Sequence, residues 1–297
     1  MSRAVRFLSA VALLAAALPA AAYVRESTTG DPFSGTCLWW GGRSVTYEIN
    51  PEGVTSSTCS SVADAELAVS TAVGLWADAT YAGSVAPCTD FHFSGGAEST
   101  RKSIGHDGHN LIVFRKGLCA AGQTPSVNNC WNHGDIGIVA LTTTTQDDTT
   151  GQILDADVEL YSTDGTHGMD FGCTAAGGTA TSVDITAVMG HEAGHMLGLD
   201  HPCTSEYGVP VNCIKDTGTS LPPIMSPQVG GASQKLLAQD DVTAVCTIYP
   251  KGGATLTCPP VEPPGGASHG GCSSAGGVGI LGVLALLAAM RRRGRSA

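Results

Sequence analysis

The chain is short of aromatic and of basic residues, and each shortage narrows its range of functions. Only 5% of the 297 residues are aromatic, but hydrophobic residues make up 42%, which is enough for the core of one large domain or two small ones. Lys and Arg number 15 against 26 Asp and Glu. Nucleic acid is therefore excluded as a partner, because phosphates require a positive surface. No internal repeat is present.

Long apolar runs are also missing. A run near the C-terminus, from Val278 to Met290, has 13 residues and falls short of the roughly 20 that a transmembrane helix needs. An arginine-rich segment follows it at positions 291–295. A basic flank of this kind fixes the cytoplasmic side of a stop-transfer element, so we expect membrane attachment through this tail before processing.

The first 22 residues have the layout of a secretory signal peptide. Arg3 and Arg6 precede an apolar run that ends in small residues at Ala22. The alternative is a buried N-terminal helix, but a run so rich in alanine that ends in AAA favours export. We therefore expect a secreted protein in which residues 23–36 form an N-terminal segment or a short propeptide.

Eleven cysteines are present, of which Cys272 belongs to the C-terminal tail. The remaining ten allow up to five disulfides in an exported chain, with a connectivity that the sequence does not give. Cys203 and Cys213 are near enough in sequence to close a short loop.

Helical and strand periodicities both occur. Apolar residues recur at intervals of three and four between positions 60 and 80, which predicts a core helix with one buried face. The residues of that face are Val62, Ala65, Val69, Ala72, Val73 and Trp76. Before this helix, RSVTYEIN alternates apolar Val45, Tyr47 and Ile49 with polar residues, as a half-buried strand does. Further strand candidates are FHF, LIVF, IGIVAL and ILDADVELY.

Two more helices are predicted in the second half of the chain. One begins near Ser182, a suitable N-cap, and ends at Gly198. Its buried residues are expected to be Ile185, Val188, Met189 and Met196. The other covers 235–249 and stops at Pro250, followed by a proline- and glycine-rich linker over 251–271.

This order of elements predicts an α+β fold. We expect a twisted mixed sheet of the α/β type with two long helices, followed by a small irregular C-terminal subdomain with one helix. The folded body should span about 35–250.

Residues 190–201, GHEAGHMLGLDH, carry the most specific signal in the chain. Helical residues four apart lie side by side, so His191 and His195 can present two imidazoles to one ion. A third ligand further along the same helix would point away from that ion. Gly198 lets the chain turn back, because glycine adopts the left-handed conformation that closes a helix, and His201 then completes a three-histidine set.

Three neutral imidazoles suit Zn²⁺ and leave a fourth position for water, as in a catalytic site. Zinc lowers the pKa of such a water to about 7, and Glu192 is placed to act as general base and then to protonate a leaving amine. The pattern HExxHxxGxxH fixes five positions, so its chance occurrence is on the order of 10⁻⁴. A structural zinc without catalysis would leave Glu192 without a role. We therefore predict His191, His195 and His201 as zinc ligands and Glu192 as the catalytic residue.

These residues resemble the metzincin zinc peptidases, and HEAGHMLGLDH is most similar to the matrixin branch. The resemblance implies a methionine turn beneath the metal, supplied by Met225 in PPIMSP, and no tyrosine ligand, because Pro227 follows as in matrixins. The matrixin C-terminal helix is also matched, by Asp240, Asp241 and Tyr249 in LAQDDVTAVCTIYP. The similarity covers roughly residues 40–250, with specific motifs only in the last 60 of them.

The resemblance also bears on less specific stretches. ILDADVELY is similar to the edge strand that lines the family's cleft and pairs with an extended substrate, with an ordinary interior strand as the alternative. His106 and His109 in HDGHN are candidates for a second metal, although surface loop residues are the simpler interpretation, as they are for His133 and His167. Acidic oxygens also allow a Ca²⁺ site, against a solvated acidic surface as the alternative.

Two features depart from the matrixin pattern. Only about 15 residues separate the expected cleavage site from Cys37, whereas matrixins carry a long propeptide with a cysteine that caps the zinc. Cys37 in GTCLWW is instead expected to be disulfide-bonded. The structural-zinc and calcium segments of animal matrixins are not recognisable in the sequence.

The tail over 272–297 combines Cys272 in GGCSSAGG, a short hydrophobic helix and an arginine cluster. It resembles the MYXO-CTERM sorting tails of bacterial surface proteins. That resemblance implies processing at Cys272 and attachment to the cell surface.

These observations predict a secreted or surface-anchored, monomeric zinc endopeptidase that acts on extracellular proteins, with 37–250 as its catalytic domain. One alternative is a non-catalytic, zinc-stabilised surface binding protein or adhesin, and another is a zinc hydrolase of cell-wall cross-links. The presence of Glu192 speaks against a binding protein, because binding places no demand on that carboxylate.

Overall fold

The structure, a computed structural model, describes residues 23–32, 34–54, 59, 61–134, 137–173, 183–202, 222–227 and 235–258. The predicted signal peptide, most of the linker and the sorting tail lie outside the described residues, and so do Cys203 and Cys213.

Strands and short helices alternate along the described chain. The strands are β1 (Val24–Arg25), β2 (Trp39–Trp40), β3 (Ser44–Asn50), β4 (His92–Glu98), β5 (Asn110–Lys116), β6 (Ala140–Gln146), β7 (Gln152–Ser162), β8 (Phe171–Gly172), β9 (Val183–Asp184) and β10 (Leu199–Asp200). The helices are α1 (Val62–Ala77), α2 (Pro125–Asn128), α3 (Ile185–Met196) and α4 (Gln239–Ile248).

Six of these strands form one mostly parallel sheet. Its order is β2-β7-β5-β3-β4, and β6 pairs antiparallel with β7. Leu160 of β7 pairs with Phe114 of β5 and also with Ala140 of β6, so β5 and β6 lie on opposite sides of β7. The predicted mixed sheet with helices is confirmed, and β6 forms one of its edges.

Helix α1 packs against the sheet and α3. It begins after Ser61, whose hydroxyl oxygen accepts a hydrogen bond from the Asp64 N–H at 3.2 Å. The predicted apolar face is buried except for Val62, which is 39% exposed at the first turn. Trp76 at the other end is fully buried and donates its indole N–H to the carbonyl of Gly190 in α3 at 2.9 Å. This contact joins the two long helices.

Strand β3 follows its predicted alternation, since Val45, Tyr47 and Ile49 are all buried. Strand β7 does not, because it is buried on both faces from Asp155 onward. Its buried carboxyl groups accept hydrogen bonds from the backbone. Asp157, for example, accepts hydrogen bonds from the N–H groups of Gly105 and Leu111, at 2.7 and 2.8 Å. A strand in the interior of a sheet therefore carries acidic residues at positions where the sequence alone indicates a solvent-exposed face.

The predicted start of the histidine-bearing helix was wrong. Its N-cap is Asp184, whose carboxylate accepts the N–H groups of Thr186 and Ala187, at 2.9 and 3.2 Å, and Ser182 lies outside the described residues. The predicted buried face of this helix is confirmed. The last helix, α4, begins at Gln239 rather than at 235 and ends, as predicted, before Pro250.

Ordered structure continues past both expected limits of the folded body. Strand β1 pairs antiparallel with β10, and Cys37 is joined to Cys258 by a disulfide. Arg25 is buried and donates to the carbonyl oxygens of Leu38 at 2.5 Å and Leu256 at 2.7 Å. Residues 251–258, the first part of the predicted linker, therefore pack against the folded body and do not extend away from it.

Four disulfides are present among the described residues. They join Cys37 to Cys258, Cys59 to Cys173, Cys88 to Cys246 and Cys119 to Cys130. The expected disulfide at Cys37 is confirmed, and this number of bridges is typical of a protein that folds in an oxidising compartment. Among the residues that the structure describes, no helix has both the length and the apolar character needed to span a bilayer.

Candidate metal centre

Helix α3 and the turn after it bring the three predicted histidines together. His191 and His195 lie one turn apart on α3, and the helix closes at Gly198, which has φ of +84°. A side chain at Gly198 would also lie 2.7 Å from the Leu38 carbonyl oxygen. The chain can thus reverse here only with glycine, and β10 then carries His201 back to the other two histidines.

The three rings converge through their Nε2 atoms. The distances are 3.1 Å from His191 to His201, 3.1 Å from His191 to His195 and 3.2 Å from His195 to His201. Among the described residues, these three are the one set of His, Cys, Asp or Glu side chains close enough to share an ion. The part of the prediction that concerns a three-histidine site is confirmed.

The outer nitrogens of two rings determine where the protons lie. Nδ1 of His191 is 2.7 Å from the carbonyl oxygen of Ile224, and Nδ1 of His195 is 2.8 Å from that of Leu199. A carbonyl only accepts, so each Nδ1 is a donor, and each ring presents a lone pair on Nε2 when it is neutral. Lone pairs that face each other at this distance repel unless a proton or a metal cation lies among them. The three rings could therefore hold a metal ion, and two of them already have hydrogen bonds on their outer nitrogens.

The donor set fits zinc. Imidazole nitrogens bind Zn²⁺ at about 2.0–2.1 Å, which places two nitrogens of a tetrahedral site about 3.3 Å apart. The observed separations of 3.1–3.2 Å are close to that value. Three histidines would leave room for one further ligand on a bound ion, and all three histidines line a cleft.

Burial and charge set the pKa values of these rings. Burial, together with the neighbouring rings, lowers the pKa of His191 well below its usual range and that of His201 to about 4, so both are neutral. Burial would also lower the pKa of His195, but the Glu26 carboxylate outweighs it and raises that pKa to about 9. The surroundings of His195 therefore favour positive charge at the centre.

Glu192 is buried, and it lines the cleft together with the three histidines. Burial raises the pKa of its carboxyl group, while the positive charge of His195 and a hydrogen bond from Thr142 lower it. The Thr142 hydroxyl donates to Oε2 of Glu192 at 2.6 Å and lies 3.3 Å from the Glu192 carbonyl oxygen. A carboxylate held in this way can exchange a proton with a group in the cleft.

The cleft has a volume of about 630 Å³. It is lined by Glu26, residues 137–142, His191, Glu192, His195, His201 and Pro227. Its wall is strand β6, so the prediction that ILDADVELY forms the edge strand at the cleft was wrong. That segment is β7, which lies inside the sheet between β5 and β6. The alternative of an interior strand is the correct one.

A turn at Met225 lies beneath the histidines. Ile224 and Met225 are buried, and Ile224 supplies the carbonyl that orients His191. Asp241 of α4 holds the turn, because its carboxylate accepts the N–H groups of Ile224 at 2.8 Å and Met225 at 3.4 Å. Burial raises the pKa of Asp241 to about 7. The last helix is thereby connected to the metal centre.

The four other histidines singled out in the sequence lie away from this centre. His106 is exposed, His167 is partly exposed, His109 contacts Glu48 at 2.7 Å, and His133 contacts Glu159 at 2.9 Å. This exposure and these contacts agree with the interpretation of the four histidines as ordinary surface or structural residues. Among the described residues, no second group of three or more His, Cys, Asp or Glu side chains is close enough to share an ion. A Ca²⁺ site stays a prediction.

Two residues of the centre were missed in the sequence. Glu26 contacts Nδ1 of His195 at 3.0 Å from 169 positions away, and Thr142 contacts Glu192 from 50 positions away. Neither belongs to a local motif, and only the pairing of β1 and the position of β6 bring them to the site.

The chain was compared with known proteins. No family model matches it, and none of the curated proteins is significantly similar to it.

Proposed function

We propose that this protein is a zinc-dependent endopeptidase that hydrolyses extracellular polypeptides. One observation carries the proposal. Three imidazole Nε2 atoms converge in a cleft, and the buried carboxylate of Glu192 lines the same cleft without belonging to the group of three. A site built only for stability would have no need of Glu192.

His191, His195 and His201 would hold the metal. When bound, zinc supplies a Lewis acid that polarises a carbonyl group and makes water more acidic. Glu192 takes a proton from the attacking water and returns it to the amine that leaves. Thr142 keeps Oε2 of Glu192 in a fixed position through its 2.6 Å hydrogen bond, so the carboxylate does not have to reorient between the two proton transfers.

The substrate would bind along β6. This strand pairs with β7 on one side, and residues 137–142 line the cleft on the other. An extended peptide can add to such an edge through main-chain hydrogen bonds, which recognise the backbone and not a particular side chain. An endopeptidase with broad sequence tolerance is the activity this geometry favours.

The metzincin resemblance agrees with this proposal. The buried Met225 turn, the aspartate on α4 that holds it and the glycine-closed helix support this part of the proposal. Export and attachment through the C-terminal tail are part of the same proposal, supported by the four disulfides and by the sequence at both ends.

The test uses the protein secreted from the full-length chain. Cleavage of a broad peptide library is followed by mass spectrometry with and without a chelator, and zinc is quantified in parallel. We expect cleavage that the chelator abolishes. Glu192→Gln should lower kcat by about 10²–10⁴-fold while zinc stays bound. Undiminished cleavage by Glu192→Ala would refute the catalytic assignment.

Two other outcomes would redirect the proposal. Stoichiometric zinc with no turnover of peptides or folded proteins would indicate a zinc-stabilised binding protein. Activity confined to purified peptidoglycan would indicate a hydrolase of cell-wall cross-links.

A further inference from the structure

Glu26 is fixed next to the metal centre by its own backbone. Its N–H donates to the Gly198 carbonyl at 2.9 Å, and its carbonyl accepts the Leu38 N–H at 2.9 Å. Strand β1, immediately before it, pairs with β10, with Arg25 opposite Leu199. The residue is therefore attached to the same turn that returns His201 to the site.

The side chain of Glu26 reaches the outer nitrogen of His195. Oε1 lies 3.0 Å from Nδ1, which is also 2.8 Å from the Leu199 carbonyl. The metal-facing atom of that ring is Nε2, on the opposite side. Glu26 thus contacts the centre from behind a ligand and does not occupy the ligand position, as a blocking propeptide residue would.

The segment that carries Glu26 is held by the other end of the folded body. Arg25 donates to Leu256 as well as to Leu38, and the Cys37–Cys258 disulfide closes the same region. These contacts give the carboxylate a fixed position, which a free N-terminal extension would not have.

We propose that Glu26 is a positioning residue, which orients the His195 ring through Nδ1 and strengthens the binding of zinc at Nε2. A carboxylate on the outer nitrogen of a ligand histidine fixes its tautomer and makes it a better donor. The segment around residues 24–26 is then a permanent part of the metal centre and not a removable propeptide. The inference rests on the metal site of the proposed function, but not on peptide hydrolysis.

The test measures zinc affinity by competition with a chelator of known affinity, again on protein secreted from the full-length chain. Glu26→Ala should weaken zinc binding about 10–100-fold. Glu26→Gln, which keeps an acceptor oxygen but loses the charge, should fall between Glu26→Ala and the wild type. The matched control is Glu98→Ala, because Glu98 is exposed on β4 at the opposite edge of the sheet, and it should leave the affinity unchanged.

A second readout separates positioning from packing. The unfolding midpoint of the metal-free protein should be similar in wild type and Glu26→Gln, so that a loss of affinity reflects the ring and not the fold. Zinc affinities of both Glu26 variants within about twofold of wild type would overturn the proposal, and so would a wild type that binds no zinc. A wild type that binds zinc with the help of Glu26 but cleaves no peptide would refute the proposed peptidase and leave this inference standing.

Discussion

Gly194 of α3 faces the thioether of Met225 with no room for a side chain between them. A Cβ at Gly194 would overlap the Met225 sulfur and lie 2.8 Å from Cζ2 of Trp76. The glycine between the two helical ligands thus allows the turn at Met225 to pack directly beneath the metal centre.

Gly194→Ala should therefore displace this turn and weaken the centre. Overpacking of a core typically costs about 1–3 kcal/mol, and movement of the turn would shift the Ile224 carbonyl that orients His191. We expect a lower free energy of unfolding in urea together with weaker zinc binding. Gly74→Ala in α1 is the control, since a Cβ there meets nothing within 4 Å and should raise stability by about 0.5–1 kcal/mol. Equal stability of the two variants would contradict the packing argument.

Thr142→Val should lower kcat/KM about 10–100-fold. Valine has nearly the same shape but removes the hydroxyl that donates to Glu192, and a hydrogen bond to a charged group contributes about 1.5–3 kcal/mol. Thr142→Ser should recover most of the activity, and neither variant should change zinc content. Steady-state kinetics on a cleaved peptide provides the measurement. Full activity in the valine variant would show that the bond has no role in catalysis.

Asp157 should make the protein less stable as the pH rises towards neutrality. Burial, with smaller contributions from Asp155 and Asp107, raises its pKa from an ordinary value of 3.8 to about 7. Between these pH values the folded protein holds a proton that the unfolded chain has lost, so the contribution of Asp157 to stability is fully present below about pH 4 and is lost as the pH rises through about 7. The same sign applies to Asp241.

The comparison that isolates this effect is wild type against Asp157→Asn, both free of metal. The amide introduced by this substitution does not titrate, so the stability advantage of wild type, from urea unfolding, should shrink between about pH 4 and about pH 7 and then stay constant. A constant advantage over this range would mean that the carboxyl group is already ionised in the folded state at pH 4.

Removal of the Cys37–Cys258 disulfide should affect both stability and metal binding. The bridge spans 221 positions, and its loss by Cys37→Ser with Cys258→Ser should cost about 2–5 kcal/mol. Zinc affinity should fall as well, because the segment that carries Glu26 is released. Cys119→Ser with Cys130→Ser is the control, since that bridge spans only 11 positions and neither cysteine lines the cleft of the centre. Equal zinc affinities in the two double variants would contradict the coupling.

The local parts of this fold could be predicted from the sequence. The face of α1, the alternation of β3 and the three histidines each depend on residues within one element or one turn, where periodicity and the conformational freedom of Gly198 suffice. Cys37 was correctly expected to be bridged, but its partner, Cys258, follows from the tertiary fold alone.

The remaining features depend on what covers each strand. Asp155 and Asp157 suggest a solvent-facing side of β7, yet the segment around Gly105 and Gly108 covers them with backbone N–H donors. The strand that lines the cleft is therefore β6. Its threonine-rich sequence does not identify it as the edge strand of the sheet. Asp184, not Ser182, caps α3 because the chain reaches β9 before the helix begins.

The metal centre collects groups from positions 26, 142, 191–201, 224 and 241, and the bridge that steadies its first strand ends at position 258. Such a centre is assembled only after nearly all of these segments have left the ribosome, because no fragment contains every part. A chain still in synthesis therefore lacks the complete centre, and the three histidines acquire their full set of neighbours only near the end of translation.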